Sequence, residues 1–252
     1  MAPRDAATVI LLRDAPAGPE VYLLRRLSSM AFAPGAYVFP GGKVDDRDAE
    51  GGHDWAGPSP DQLAPALGVP VAGAAALIRA AVRETFEECG VLLAGPSAGT
   101  VVAEVTGPDW AADRQALTAG SMSLAELLVR RRLVLRGDLL RPWSRWITPE
   151  AEERRYDTRF FVATMPAAQH AAGGTGESDR AAWLRPAAAV AAAAAGELTL
   201  LPPTVITLGE LAACSGVPAV MAAARPITPR RPVVVLNGDR AWLSIPDGSD
   251  DN

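Results

Sequence analysis

Residues Val71 to Cys89 read as an α-helix on three counts: they contain no proline, their apolar positions recur at helical spacing, and Gly90 follows, the residue suited to the left-handed position beyond a helix end. At 100° per residue, Ile78, Val82, Phe86 and Cys89 fall within about 80° of one another, while Glu84, Glu87 and Glu88 gather on the opposite side. Such a helix must lay its apolar face on another layer and leave a row of carboxylates uncovered.

The flanking segments supply that layer. Thr8–Leu12 and Glu20–Arg25 are strand-like, and the turn-forming stretch Asp14–Pro19 between them predicts a hairpin. Met30–Lys43 holds Pro34, Gly35, Pro40, Gly41 and Gly42 around the apolar island Tyr37-Val38-Phe39, a loop whose backbone is being aimed. From Asp45 to about Pro70 the chain is polar and rich in Gly and Pro, with turns or a short helix expected at His53-Asp54-Trp55 and Pro58–Leu63. Val91–Leu93 and Thr100–Val105 are expected to be extended, and Asp109–Leu140 helical, with Ser123 and Glu126 as a capping box. Strands are expected at Trp143–Ile147, Thr158–Met165 and Ala182–Leu184. An Ala-rich helix, a break at Leu201-Pro202-Pro203-Thr204 and a further helix follow. Pro232–Ile245 reads as a hairpin around Asn237-Gly238.

Composition narrows the partners. With 24 basic and 29 acidic side chains the net charge is −5, so no broad attraction to a phosphate backbone or an anionic membrane is expected. Two cysteines, Cys89 and Cys214, make no disulfide framework or metal-ligand spacing. The apolar start Ala6–Leu12 is shorter than a signal core, and no window approaches a membrane span. The chain ends Ser249-Asp250-Asp251-Asn252, without a Ser-Lys-Leu address, so a cytoplasmic location is expected.

The chemistry lies in Arg83-Glu84-Thr85-Phe86-Glu87-Glu88-Cys89-Gly90-Val91. Like charges at i, i+3 and i+4 repel by a few tenths of a kcal/mol per pair. A hard divalent cation reverses that, since Mg²⁺ takes oxygen ligands, keeps several waters and accepts one or two carboxylates plus substrate phosphates. Arg83, four residues before Glu87, is placed to hold that carboxylate by a bidentate contact. The plain alternative is a solvated helix face, because Glu and Arg are good helix formers.

The glycine pair upstream weighs against that alternative. Gly41, Gly42, Asp45 and Asp48, followed by Arg83, Glu84, Glu87, Glu88, Gly90 and Val91, resemble the Nudix box. Two departures stand out: Asp48 replaces the usual Glu, and 34 residues separate it from Arg83 where the ordinary box has a far shorter gap. One branch carries an insertion at this point. Phe32–Gly42, Asp45, Asp48, Asp54-Trp55, Trp143–Pro149, Arg155–Phe161 and Leu201–Thr204 are similar to that branch, the peroxisomal coenzyme A diphosphatases also called Nudix 19.

The resemblance implies an α/β protein, a Nudix-type α/β/α sandwich with a mixed sheet, one domain over residues 1–252 with insertions at about 49–70 and 109–140. It implies that Glu84, Glu87 and Glu88 bind Mg²⁺ or Mn²⁺ or assist the water, that Arg83 orients them, and that Gly41 and Gly42 help form the metal and phosphate site, with Arg26 as a phosphate contact. The general base is left open; Glu150, Glu152 and Glu153 lie in a loop that either reaches the site or is simply solvated. The implied substrate is a small nucleoside diphosphate derivative, coenzyme A or acyl-CoA, split to adenosine 3',5'-bisphosphate and the phosphopantetheine part. ADP-ribose or NADH is the alternative, and a non-catalytic nucleotide-binding module the alternative of another class. The short coenzyme A signature before the glycines is only partly met: Leu23, Arg26 and Gly35 fit, whereas Leu24, Leu27 and Ala31 do not. A homodimer is expected by fold analogy alone.

Elsewhere the sequence reads blandly. His53 and His170 lack ligand spacing and are expected to be exposed, and Cys89 to be a small core residue. Arg130-Arg131-Arg132 reads as solvated surface, with a 3'-phosphate contact as the sharper alternative. Trp143, Trp146, Tyr156, Phe160 and Phe161 are core at strand spacing, or else one of them stacks on an adenine.

Overall fold

A computed structural model describes residues 2–30, 33–173, 176, 178–237 and 240–244. Its centre is β1 (Arg4–Arg13), whose Val-Ile-Leu-Leu run is buried on both sides. Val9 and Leu11 face one core, Ile10 and Leu12 the other. A continuous apolar run of this kind belongs to a strand covered by helices on both faces. β2 (Glu20–Arg26) returns through the expected hairpin and pairs antiparallel with the far end of β1, Leu12 opposite Val21. β3 (Tyr37–Val38) pairs with β2, and β4 (Gly41–Lys43) pairs antiparallel with the near end of β1, Thr8 opposite Gly41. One edge of β1 is thus shared by two partners, and the glycine pair sits on the second.

Beyond β4, a 3₁₀ turn (Asp46–Ala49) leads to β5 (Trp55–Ala56), α1 (Pro60–Leu67) and α2 (Val71–Cys89). Gly68 closes α1 and Gly90 closes α2, both left-handed at φ +63° and +66°. Then come β6 (Ala94–Gly95), α3 (Pro108–Thr118), α4 (Leu124–Arg131) and β7 (Val134–Arg136). β8 (Arg141–Ile147), β9 (Tyr156–Thr164) and β10 (Ser178–Leu184) complete most of the main sheet. α5 (Pro186–Ala194), α6 (Pro202–Ala212) and α7 (Val217–Ala222) cover its second face, and β11 (Pro229–Arg230) adds an edge. β12 (Val233–Asn237) and β13 (Arg240–Ser244) form the C-terminal hairpin, whose Gly238 lies outside the described residues.

The path through the sheet is β10-β2-β1-β9-β8-β11, mixed because β1 runs parallel to β9 and β8 parallel to β11, while β10-β2, β2-β1 and β9-β8 are antiparallel. Helices α1 and α2 lie on one face and α5–α7 on the other, which is the α/β/α sandwich. Among the described residues no single helix is long and apolar enough to cross a membrane.

Several expectations change. Val91–Leu93 is not a strand, although its residues are fully buried. The amide of Gln169 takes both backbone groups of Leu92, accepting from its N–H at 2.9 Å and donating to its C=O at 3.0 Å. A side chain there does what a neighbouring strand would do, so the backbone groups are satisfied without a ladder. Thr100–Val105 is likewise irregular, and its Val102 C=O accepts from the same Gln169 amide. The helical expectation for Asp109–Leu140 fails at Val134–Arg136. This short strand pairs with Trp55-Ala56 on one side and Ala94-Gly95 on the other. Trp55 is therefore in a strand rather than a turn, and the segment after Asp48 is joined to the one before β8.

Candidate active site

Along α2 the burial pattern divides the side chains as the sequence periodicity does. Ile78, Val82, Phe86 and Cys89 are buried, and in the last two turns Glu84, Glu87 and Glu88 alone are half-buried. Phe86 packs edge-on to Trp110 of α3, and Arg114 of α3 donates to the Glu87 carbonyl at 2.8 Å. That bond meets one of the carbonyls a helix end leaves without an intrahelical partner.

Arg83 organises the carboxylates. Its Nε and Nη2 form a fork on the two oxygens of Asp48, at 2.9 and 2.8 Å, and Nη2 also donates to the Lys43 carbonyl. Nη1 donates to Glu84 at 2.8 Å and to Glu87 at 3.2 Å. The expected bidentate hold on Glu87 is thus a single contact, because the planar fork is spent on Asp48. Asp48 is itself almost wholly buried, and it accepts from the Asp45 N–H in a capping box. The 34-residue gap is therefore looped out, and Asp48 returns to Arg83 as if the segment were continuous.

The two glycines sit against this helix. Gly41 N–H donates to Glu88 at 2.8 Å. A Cβ on Gly42 would lie 2.4 Å from a Glu84 oxygen, and one on Gly41 would lie 2.4 Å from the Ala7 carbonyl. At Gly41 the obstacle is backbone, so only glycine fits, whereas a side chain at Gly42 would displace the Glu84 carboxylate. Burial pushes the Glu84 carboxyl up to about 7, with Glu87 adding to the rise against the pull of Arg83. Burial also raises Glu87. Among the described residues, no three acidic, His or Cys side chains are already gathered at ligating distance. Even so, Glu84 and Glu87 lean on one guanidinium nitrogen, and both are poorly hydrated hard-oxygen donors. That donor chemistry fits a divalent cation that takes one or two carboxylates and keeps waters.

The other candidates lie elsewhere or are already engaged. Arg26 ends β2, where its backbone exchanges hydrogen bonds with Ala36 and Gly35 at the mouth of the glycine loop. Arg25 forks onto Asp179. Glu150, Glu152 and Glu153 are exposed in their loop. Arg130 and Arg131 both pair with the buried Asp113; Arg130 and Arg132 are exposed, as expected of a solvated surface, and only Arg131 is half-buried. Trp143, Trp146, Phe160 and Phe161 are core residues, and Tyr156 is half-buried. His170 is exposed, but His53 is half-buried and bonded to Arg79. A groove of ≈ 640 Å³ runs between Gly51-Gly52 and Met122, Ala125 and Val129, and none of the three glutamates lines it. Sequence reasoning missed Arg79, Arg114 and Gln169, which carry no motif and act through single hydrogen bonds.

A glutamate-bearing helix laid against a Gly-Gly strand, inside a mixed sheet with helices on both faces, defines a Nudix hydrolase. The profile of the NUDT19 Nudix domain matches residues 60–211, more than half of the chain. The acyl-coenzyme A diphosphatase NUDT19 of Gallus gallus is 29% identical over 82% of this chain and 68% of its own length. That of Homo sapiens is 28% identical over 77% of this chain and 61% of its own length. The crystal structure of a NUDIX hydrolase from Alicyclobacillus acidocaldarius matches with a TM-score of 0.74 and 30% identity, covering 90% of this chain and 98% of that one. The chain belongs to the NUDT19 Nudix domain family.

Proposed function

We propose that the protein hydrolyses the diphosphate of coenzyme A and acyl-CoA, giving adenosine 3',5'-bisphosphate and (acyl-)4'-phosphopantetheine, with Mg²⁺ or Mn²⁺ held by Glu84, Glu87 and Glu88. The observation that carries this reading is the intact network in which Arg83, anchored on Asp48, steers Glu84 and Glu87 beside Gly42. The names of the chicken and human relatives supply the substrate class.

Water adds its oxygen to one phosphorus as the bridging P–O bond breaks, leaving two phosphate esters and a released proton. The cation supplies charge that screens the diphosphate and acidifies the water. The chain's own work is positional. Arg83 fixes two carboxylates, the Gly41 N–H fixes the third, and Gly42 leaves the space a Cβ would fill. Arg26, at the mouth of the loop, is the side chain we assign to a substrate phosphate. Phosphoryl transfer leaves the protein little covalent work, so such positioning dominates the rate.

The test is product identification by mass spectrometry with coenzyme A, acetyl-CoA, ADP-ribose and NADH, in Mg²⁺ or Mn²⁺, beside Glu88→Gln. Adenosine 3',5'-bisphosphate from the coenzyme A compounds, lost in the variant, is the expected result. Cleavage of ADP-ribose or NADH alone would overturn the substrate. No cleavage of any compound would leave a nucleotide-binding module.

A further inference from the structure

Arg79 stands one helical turn before Arg83 on α2 and reaches the same residue by a different atom. Its Nη1 donates to the Asp48 carbonyl at 3.0 Å, while Arg83 holds the Asp48 carboxylate. Its Nε donates to Nε2 of His53 at 2.9 Å. The other ring nitrogen, Nδ1, lies 3.0 Å from the Asp54 carbonyl. A carbonyl only accepts, so Nδ1 carries the ring proton, and Nε2 of the neutral ring is left with the lone pair that Arg79 needs. Two consecutive turns of α2 therefore grip the segment that follows β4, one by backbone and histidine, the other by carboxylate.

We propose that Arg79 is a positioning residue of the glutamate site. By tying the Asp48 backbone and His53 to α2, it fixes the carboxylate on which the Arg83 fork rests, and through that fork the rotamers of Glu84 and Glu87. Arg79 bonds to none of the glutamates, and its effect passes through Asp48. This inference rests on the hydrolytic reading of Glu84, Glu87 and Glu88.

The experiment compares the full-length protein with Arg79→Gln, Arg79→Lys, His53→Leu and His53→Gln. Three quantities are read: kcat and KM for acetyl-CoA, Mn²⁺ affinity by electron paramagnetic resonance without substrate, and thermal melting to verify folding. Partners behind metal ligands typically change affinity or activity by about 10–100-fold, so Arg79→Gln is expected to lose about tenfold in kcat and in Mn²⁺ affinity. KM should move by less than about twofold, because the substrate's own contacts are untouched. His53→Leu should fall in the same two quantities. His53→Gln, whose amide oxygen accepts from Arg79, should recover most of the loss, which a purely structural role would not predict. Wild-type kcat and Mn²⁺ affinity in folded Arg79→Gln overturn the proposal. Should Arg79→Gln fail to fold, equal losses in the two His53 variants overturn it instead. A wild-type protein that neither binds Mn²⁺ nor cleaves acetyl-CoA overturns the hydrolytic reading itself, and this inference falls with it.

Discussion

At Glu84 a carboxylate is held with little water, beside a second carboxylate and under a guanidinium, and burial outweighs the guanidinium. Its folded-state value of about 7 lies above the ordinary 4.5, so the folded protein binds a proton that the unfolded chain releases between those two pH values. The stability gained from that proton is full below pH about 4.5 and is lost as pH rises through about 7. A divalent cation competes for the same oxygens and binds the ionised form. Its stabilising effect is therefore expected to grow with pH. In differential scanning fluorimetry, Mn²⁺ should raise Tm more at pH 8 than at pH 5.5, and Glu84→Gln should flatten that difference. A Tm rise independent of pH would show that Glu84 does not bind the cation. At this scale helical spacing was enough to gather Glu84, Glu87 and Glu88 on one face, whereas the place of the two glycines beside them was expected only from the resemblance to the Nudix box. The true partner of the Arg83 fork was hidden: Glu87 is four residues away and Asp48 is 35, and only the fold brings the distant one nearer.

Among the elements, the long periodic ones were readable and the short ones were not. α2 begins and ends where its spacing and Gly90 predict, since a helix of five turns with one apolar face has no competing arrangement. Val91–Leu93 misled because a buried apolar triplet has the composition of a strand whether or not a strand lies beside it. What decides the matter is Gln169, 77 positions from Leu92 in sequence. If that side chain replaces a strand, Gln169→Ala leaves buried peptide groups orphaned, at about 1–3 kcal/mol for each group that loses its partner. Urea unfolding should show a loss of that size with an unchanged m-value. A variant within ~0.5 kcal/mol of wild type would mean the peptide groups find other partners.

For the molecule as a whole, the order of strands sets which parts yield last. β1 lies between partners on both edges and cores on both faces, and its parallel register with β9 runs from Arg4 to Leu12. The β5-β7-β6 sheet has two-residue or three-residue strands. Amide exchange should be slowest in Val9–Leu12 and Val162-Ala163, and faster by orders of magnitude in the small sheet. Equal protection in the two sheets would contradict this ranking. The sandwich was expected from the resemblance to the Nudix box, whereas the small sheet was not foreseen, since strands this short carry no periodicity. The pairing of Asp48 with Arg83 has one more consequence. It fastens the excursion between them at both ends, and the entropy of closing a flexible loop grows only with the logarithm of its length. Doubling the length of the exposed turn at Gly51-Gly52, between Asp48 and His53, would cost only about 0.6 kcal/mol, so foreign sequence can be spliced there while the knot beneath stays tied.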